Sequence, residues 1–321
     1  MSHPRIGVSL PHFGPHAGPD GVVRVAQAAE QLGFHAVSVT ERLLLPVRGD
    51  WDNNAKLPDS YVYDPLELLT FAAAHTRRVR LTTGVVNAIF QPPILLARRL
   101  ATLDQLSRGR VVAGIGQGGG SRSAETGFAI PDEFAAAGVP TSRRGAGFAE
   151  HIAAMRACWA PDPVEFHGTH YDIPRSTVGP KPYGATIPLP IGALVPRTIE
   201  RAARIGDGFI TVAHPQNWHE LDGQLEIYRG AGGTGPIILN TIQPFPDADV
   251  SEQMFLDFVI PDLDRAAAAG VDEVHLTLNL AGVHPDRQVE LFEVLAGQLG
   301  LTPERPADPR TAASTTPPRR G

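Results

Sequence analysis

The chain has almost no cysteine. Cys158 is its single one, which excludes an internal disulfide. It stands beside Trp159 in "FAEHIAAMRACW", where Phe148, Ile152, Met155 and Trp159 recur at helical spacing, so a core position is expected rather than a nucleophile. Long apolar runs are missing as well. None reaches the length of a membrane span, and "MSHPRIGVSL" lacks the charged n-region and long h-region of a secretory signal. A soluble, cytoplasmic protein with no membrane partner is expected. Nor is there a basic stripe: the net charge is −6 and the Lys and Arg residues are dispersed, which excludes a nucleic-acid-binding reading. The histidines form no metal set. His167 and His170 fall in a hairpin pattern, and His12 and His16 sit in a Pro/Gly loop without the i, i+4 geometry of a helix. The last stretch, "TPERPADPRTAASTTPPRRG" (302–321), has almost nothing apolar to bury and reads as a disordered tail.

What the chain does have is a long alternation. Its 321 residues, 42% of them hydrophobic, fit one large α/β barrel or two ordinary domains. Eight short apolar runs read as strands, at 5–10, 35–39, 79–86, 110–115, 187–192, 208–212, 237–242 and 273–278. Amphipathic runs lie between them, such as "DGVVRVAQAAEQLG", with Val22, Val25, Ala26, Ala29 and Leu32 on one face. Gly33, Gly109, Gly206 and Gly270 each end a helix just before a strand, the pattern of a left-handed C-cap feeding a short αβ loop. The βα connections are longer and irregular. That asymmetry predicts a (β/α)8 TIM barrel over residues 1–301, with its site among the βα loops at the strands' C-terminal ends. A doubly wound sheet is the alternative; eight repeats without an evident reversal favour the barrel. Residues 161–186 interrupt the alternation with a hairpin and a Pro-rich return, an insertion before the fifth strand.

The stretch "VVAGIGQGGGSRS" (111–123) satisfies G-x-G-x-x-G through Gly114, Gly116 and Gly119 and invites a dinucleotide reading. Its context argues against one. It follows the fourth strand, and the next twenty or so residues carry no helical apolar stripe, so the downstream Asp132 and Glu133 fall at the right distance by coincidence. Gly114 and Gly116 read instead as a strand end stripped of side chains so that a flat ring can lie against the backbone. Gln117 then points at that ring or its substrate, and Ser121 and Arg122 begin a loop able to reach a phosphate.

Several separated segments carry a resemblance. "RIGVSLPHFGP", "AAEQLGFHAVSVTERLLLPV", "YDPLELLTFAAAHTRRVRLTTGVV", "PPILLARRLATLDQLSRGRVVAGIGQG", "EHIAAMRACWAPDPVEFHGTHYDI", "PKP" and "IGALVPRTIERAARIGDGFI" resemble, in that order, the luciferase-like monooxygenase superfamily. The look is that of its actinobacterial coenzyme F420-dependent branch, over roughly residues 5–300. The resemblance implies a (β/α)8 barrel, often dimeric, that binds FMN or the deazaflavin F420 at its C-terminal mouth. It also implies a phosphate anchored near the fourth and fifth strands, and oxidoreduction of a substrate it does not choose.

The same resemblance places the site. At the end of the second strand, where the family often has an acid followed by histidine, this chain has Glu41 and then Arg42, a fixed cation able to stabilise a reduced, anionic (deaza)flavin. After the third strand, "TTGVVNAIF" matches the family's bulge, commonly with a non-proline cis peptide, behind the ring; Val85, Val86 and Asn87 are expected there. Asn87 can meet the ring's edge or serve a turn. "IGALVPRTIERAARIGDG" resembles the phosphate turn of the fifth strand, in which Gly192 and Ala193 allow close backbone approach and Arg197 adds charge at a helix N-terminus. His12, at the end of the first strand, can face the mouth and is the best remaining imidazole for proton transfer; a loop-stabilising role fits equally. His214 is a weaker candidate of the same kind, and Asp64, Tyr61 and Tyr63 read as the cap and cover of the following helix.

The expected function is hydride transfer between coenzyme F420 and a small organic substrate, with His12, Arg42 and Gln117 as catalytic candidates. The first alternative is an FMN-dependent monooxygenase supplied with reduced flavin by a separate reductase. The second is a barrel that binds a (deaza)flavin without catalysis. Arg42 and Gln117 keep that one open, because related dehydrogenases carry histidine and glutamate there. A homodimer is expected from the resemblance.

Overall fold

The computed structural model describes residues 3–47, 63–119, 130–213, 218–242, 245 and 247–303. Within them the chain runs β1 (Arg5–Ser9), α1 (Pro19–Leu32), β2 (Ala36–Val39), α2 (Pro65–His75), β3 (Arg80–Asn87), α3 (Pro93–Ser107), β4 (Val111–Gly116), α4 (Pro131–Ala136), α5 (Ala146–Trp159), β5 (Val164–His167) and β6 (Asp172–Ser176). It continues through β7 (Pro190–Gly192), α6 (Pro196–Ile205), β8 (Gly208–Ala213), α7 (Trp218–Gly230), β9 (Ile237–Ile242), α8 (Glu252–Ala269), β10 (Glu273–Thr277) and α9 (Pro285–Leu299).

Eight of these strands close into a parallel barrel in the order β1-β10-β9-β8-β7-β4-β3-β2, and β5 pairs with β6 as an antiparallel hairpin outside it. The (β/α)8 expectation and the insertion before the fifth barrel strand are both met. The barrel closes because each strand alternates. Val8, Val37, Leu81, Ala113, Ile115, Phe209, Leu239 and Leu276 are fully buried in one continuous core, while residues that alternate with them, such as Ser9, Ser38, Ile210 and Asn240, turn to the barrel's interior. The expected fifth strand, 187–192, shrinks to Pro190–Gly192, since Pro188 and Pro190 have no N–H to give a ladder. Its edge is already in place at residue 188, whose carbonyl accepts the Ala113 N–H at 2.9 Å.

The helices start and stop as their ends dictate. Asp64 caps α2 by accepting from the N–H groups of Leu66 and Glu67 at 3.0 and 3.4 Å, and Ser251 caps α8 through Met254 at 3.1 Å. Gly33 and Gly270 are left-handed C-caps with φ of 88° and 79°. Gly206 departs from that expectation: its φ is −92°. It is glycine for lack of room, because a β-carbon there would come within 2.6 Å of Ile191 and 2.9 Å of the Ala202 carbonyl. Cys158 is buried in α5 with Phe148, Ile152 and Met155.

The barrel is stoppered at its N-terminal end. His275 of β10 is fully buried and fills the space left by Gly7, where a β-carbon would meet the imidazole at 2.5 Å. Its Nε2 lies 2.6 Å from Glu273, which His35 and Arg5 also approach at 3.7 and 3.9 Å. Among the described residues no helix is long and apolar enough to cross a membrane, and no group of His, Cys, Asp and Glu could hold a metal ion. The expected tail lies, from residue 304 onward, outside the described residues.

Candidate active site

At the opposite end, the C-terminal ends of the strands surround a cavity of about 800 Å³. Strand alternation decides its wall: Ser38 and Thr40, Ile210 and Val212, and Asn240 and Ile242 are pairs two residues apart, joined by Ser9 and Thr277 from the barrel's first and last strands. The upper wall is apolar, with Phe13, Leu45 and Leu280. On one side the wall is nearly bare backbone. Gly84, Gly116 and Gly192 face the cavity around Val85, and a β-carbon at Gly116 or Gly192 would come within 2.7 or 2.8 Å of the Val85 methyls. The glycines let Val85 seat between the strand ends, so that its side chain and the exposed backbone form the face a planar ring would meet.

Behind Val85 the β3 strand bulges. The register against β4 shifts between Thr83 and Val86, and the Gly84–Val85 peptide is cis. The extra residue turns Val85 toward the cavity and Val86 away from it, so that Val86 is 1% exposed and packs in the core. Val86 is therefore corrected from cofactor contact to outer-wall packing. Three strand ends are tied together at this bulge. The Asn87 N–H donates to Glu41 Oε2 at 2.6 Å, and Asn87 Oδ1 accepts the Gly118 N–H at 3.1 Å. From across the barrel, Asn240 Nδ2 donates to the Gly84 carbonyl at 3.3 Å.

Glu41 lines the cavity, and burial pushes its carboxyl up to about 7 against the opposing pull of the Asn87 N–H. Arg42 lines the cavity too and reaches Glu133 of α4 at 3.1 Å; the other Glu133 oxygen accepts the Leu43 N–H at 2.7 Å. Burial raises the Glu133 carboxyl, with Arg42 pulling the other way. Gln117 faces the cavity but its Oε1 is engaged, accepting from Arg201 Nη1 at 2.8 Å and from the Gly145 N–H at 3.3 Å.

The loop before α6 and the helix's first turn form one end of the cavity, with Ala193, Leu194, Val195, Arg197 and Thr198 on its surface. The N–H groups of Ala193, Val195 and Thr198 are already bonded, to the Ile210 carbonyl, Thr198 Oγ1 and the Val195 carbonyl, while a partial positive charge gathers at the helix start. Three arginines surround it: Arg197, Arg201 on the same helix, and Arg144, whose guanidinium lies over the Phe134 ring and donates to the Gly119 carbonyl at 2.7 Å. Burial lowers the pKa of Arg201, and Arg197 and Arg204 lower it further by like-charge crowding.

The structure thus gathers Glu41, Arg42, Val85, Asn87, Gly116, Gln117, Gly192, Ala193 and Arg197 around one cavity. It does not bring His12 there. That imidazole is fully buried behind the wall, its Nδ1 2.6 Å from the Leu10 carbonyl and its Nε2 accepting the Thr40 N–H at 3.0 Å. Desolvation lowers its pKa to about 4, so it is neutral and holds Thr40 in place instead of exchanging protons at the mouth. Gly114 is also corrected. A β-carbon there would overlap the Thr83 carbonyl oxygen and meet Ile210 Cδ1 at 2.5 Å, so strand packing, not a ring, demands the glycine. Ser121, Arg122 and His214 lie outside the described residues. Glu133, Arg144, Arg201 and Asn240 were not anticipated as parts of the site. The polar residues Ser9, Ser38, Asn240 and Thr277 left a signal, since each interrupts an apolar strand at an inward-facing position. Glu133 left none.

The sequence matches the luciferase-like monooxygenase family over residues 5–235. An uncharacterized protein of Mycobacterium tuberculosis is 34% identical over 233 residues, which cover 69% of this chain and 79% of that one. An F420-dependent glucose-6-phosphate dehydrogenase of Beutenbergia cavernae is 33% identical over 193 residues, 60% of this chain and 52% of that protein. In three dimensions the chain is similar to the monooxygenase RslO1 of Streptomyces bottropensis, with a TM-score of 0.68 at 24% identity over 92% of this chain and 98% of the other. The chain belongs to the luciferase-like monooxygenase family, whose members are oxidoreductases.

Proposed function

We propose that the protein is an F420-dependent oxidoreductase that moves a hydride between the deazaflavin and a small organic substrate held over its ring. The observation that carries this is a glycine-walled slot leading straight to the first turn of α6, a shape that suits a flat tricycle with a phosphate-bearing tail. Gly116, Gly192 and Val85 would bear the ring, Ala193 and Arg197 the phosphate, and Arg42 would face negative charge gathered on a reduced ring. When bound, the deazaflavin supplies the hydride acceptor or donor; the protein's share is orientation, charge and exclusion of water. Phe13, Leu45 and Leu280 give the substrate an apolar roof. The dehydrogenase of Beutenbergia cavernae supports F420 as the partner.

An FMN-dependent monooxygenase, fed reduced flavin by a separate reductase, would use the same slot, and one titration separates the two. Oxidised F420 and FMN are added to the protein in parallel while ligand and tryptophan fluorescence are followed. Saturable F420 binding at least tenfold tighter than FMN is expected. Tighter FMN binding, with oxygen uptake that depends on FMNH2, would replace this reading by the monooxygenase.

A further inference from the structure

The cavity wall carries two carboxyls among the described residues, and they are not alike. Glu133 is spent: one oxygen meets Arg42 and the other the Leu43 N–H. Among the described residues Glu41 accepts a single hydrogen bond, from the Asn87 N–H to Oε2. The cations near it are committed elsewhere. Arg42 turns to Glu133, and Arg99 is held by Glu67 and Asp64 at 2.5 and 3.0 Å on the outer side of α2 and α3. Among the described residues, the guanidinium, amide and imidazole groups at this end of the cavity cannot exchange a proton at neutral pH. A guanidinium does not release one, an amide such as Gln117 does not titrate, and His12 is sealed behind Thr40.

We propose that Glu41 is the proton-exchange group of this site for an alcohol–carbonyl pair, an assignment that rests on the deazaflavin reading above. In oxidation, the substrate O–H bond breaks and its proton passes to the Glu41 carboxylate. The C–H electron pair leaves with its hydrogen as hydride to an oxidised deazaflavin, and the C–O bond becomes C=O. Two electrons leave the substrate and the carboxylate becomes a carboxylic acid; the reduction runs through the same atoms backwards. The charge environment suits the task. Asp64 at the start of α2 and Glu133 on α4 disfavour a second negative charge at Glu41, Arg99 of α3 favours it, and burial outweighs them all. A carboxyl poised near neutrality can both take and return a proton.

The test uses the full chain, oxidised F420 and cyclohexanol, a probe matched to the apolar roof. Glu41→Gln keeps an oxygen for the Asn87 N–H and removes the titration. It should bind F420 within about threefold of wild type, lose about 10²–10⁴-fold in kcat, and lose the pH limb near 7. Glu41→Asp should restore that limb and part of the rate. Glu41→Gln within tenfold of wild type, with an unchanged pH profile, overturns the proposal. Failure of wild type to bind F420 overturns the cofactor reading on which the assignment rests. If F420 binds but cyclohexanol is not turned over, infrared difference spectra of wild type against Glu41→Gln decide. A protonated carboxyl band that disappears with a midpoint near pH 7 sustains the assignment, and a group fully ionised by pH 5 overturns it.

Discussion

Arg42→Gln should cost more stability than Glu133→Gln, although the two side chains are partners. Their N–O distance is 3.1 Å, and the side chains are 16% and 4% exposed. At about 4 Å between charge centres and an effective dielectric near 20, their attraction is about 4 kcal/mol before desolvation is subtracted. Burial nevertheless raises the Glu133 carboxyl in spite of Arg42, so the carboxylate is disfavoured in the folded chain. Removing Arg42 strands that charge with little beyond backbone N–H groups and should cost about 2–4 kcal/mol. Removing the charge from Glu133 relieves its desolvation and leaves a carbonyl oxygen for Leu43, while Arg42 can turn toward cavity water; a cost of about 0–1.5 kcal/mol follows. Urea unfolding at pH 7.5 of the wild type, both single variants and the double variant gives the order and the coupling, which should be about 1–2 kcal/mol. Additivity within about 0.4 kcal/mol, or the reverse order, would refute the reasoning.

Three other outcomes can be measured independently. Gly116→Ala places a methyl 2.7 Å from Val85 and 3.0 Å from Asn87 Oδ1, so F420 affinity should fall at least about tenfold with the fold retained, as read by titration and circular dichroism. Arg110 is buried and donates to the carbonyls of Ala73, Thr76, Val79 and Ser107 and to the Thr76 hydroxyl; Arg110→Ala should cost about 3–5 kcal/mol in denaturant unfolding, because those acceptors lose their donors together. His12 has a folded value of about 4 against 6.5 unfolded, so its contribution is complete above about pH 6.5 and drains away as pH falls toward 4. The stability gap between wild type and His12→Asn should therefore shrink by roughly 3 kcal/mol from pH 7.5 to pH 4.

The barrel was legible because its signals repeat. Eight apolar runs, long βα connections and glycines at αβ turns point to one architecture, and the hairpin of β5 and β6 stands where the alternation breaks. The wall of the cavity was legible only in part, for reasons of register. A bulge adds one residue to β3, and from sequence nothing says whether Val85 or Val86 turns inward; the shift after Thr83 settles it. His12 looked available because a loop gives no periodicity from which to read its direction, and only the Thr40 backbone shows that it points back into the protein. Glu133 sits on a helix of six residues, too short for an apolar stripe, and its meaning comes from Arg42, 91 positions earlier in the chain. Contacts of that separation are set by topology and leave no local trace.

The stopper at the far end of the barrel bears on the order of events. With His275 and Glu273 filling the interior beneath the strand ends, a ligand that enters by the mouth must leave by the mouth. A ring lying on the glycine wall would be the deeper occupant and the substrate the shallower one. Such a vessel is last-in, first-out: steady-state kinetics should be ordered, with product leaving before the spent ring, and a dead-end substrate analogue should trap that ring and slow its dissociation. The chemistry is set at the rim, and the traffic at the floor.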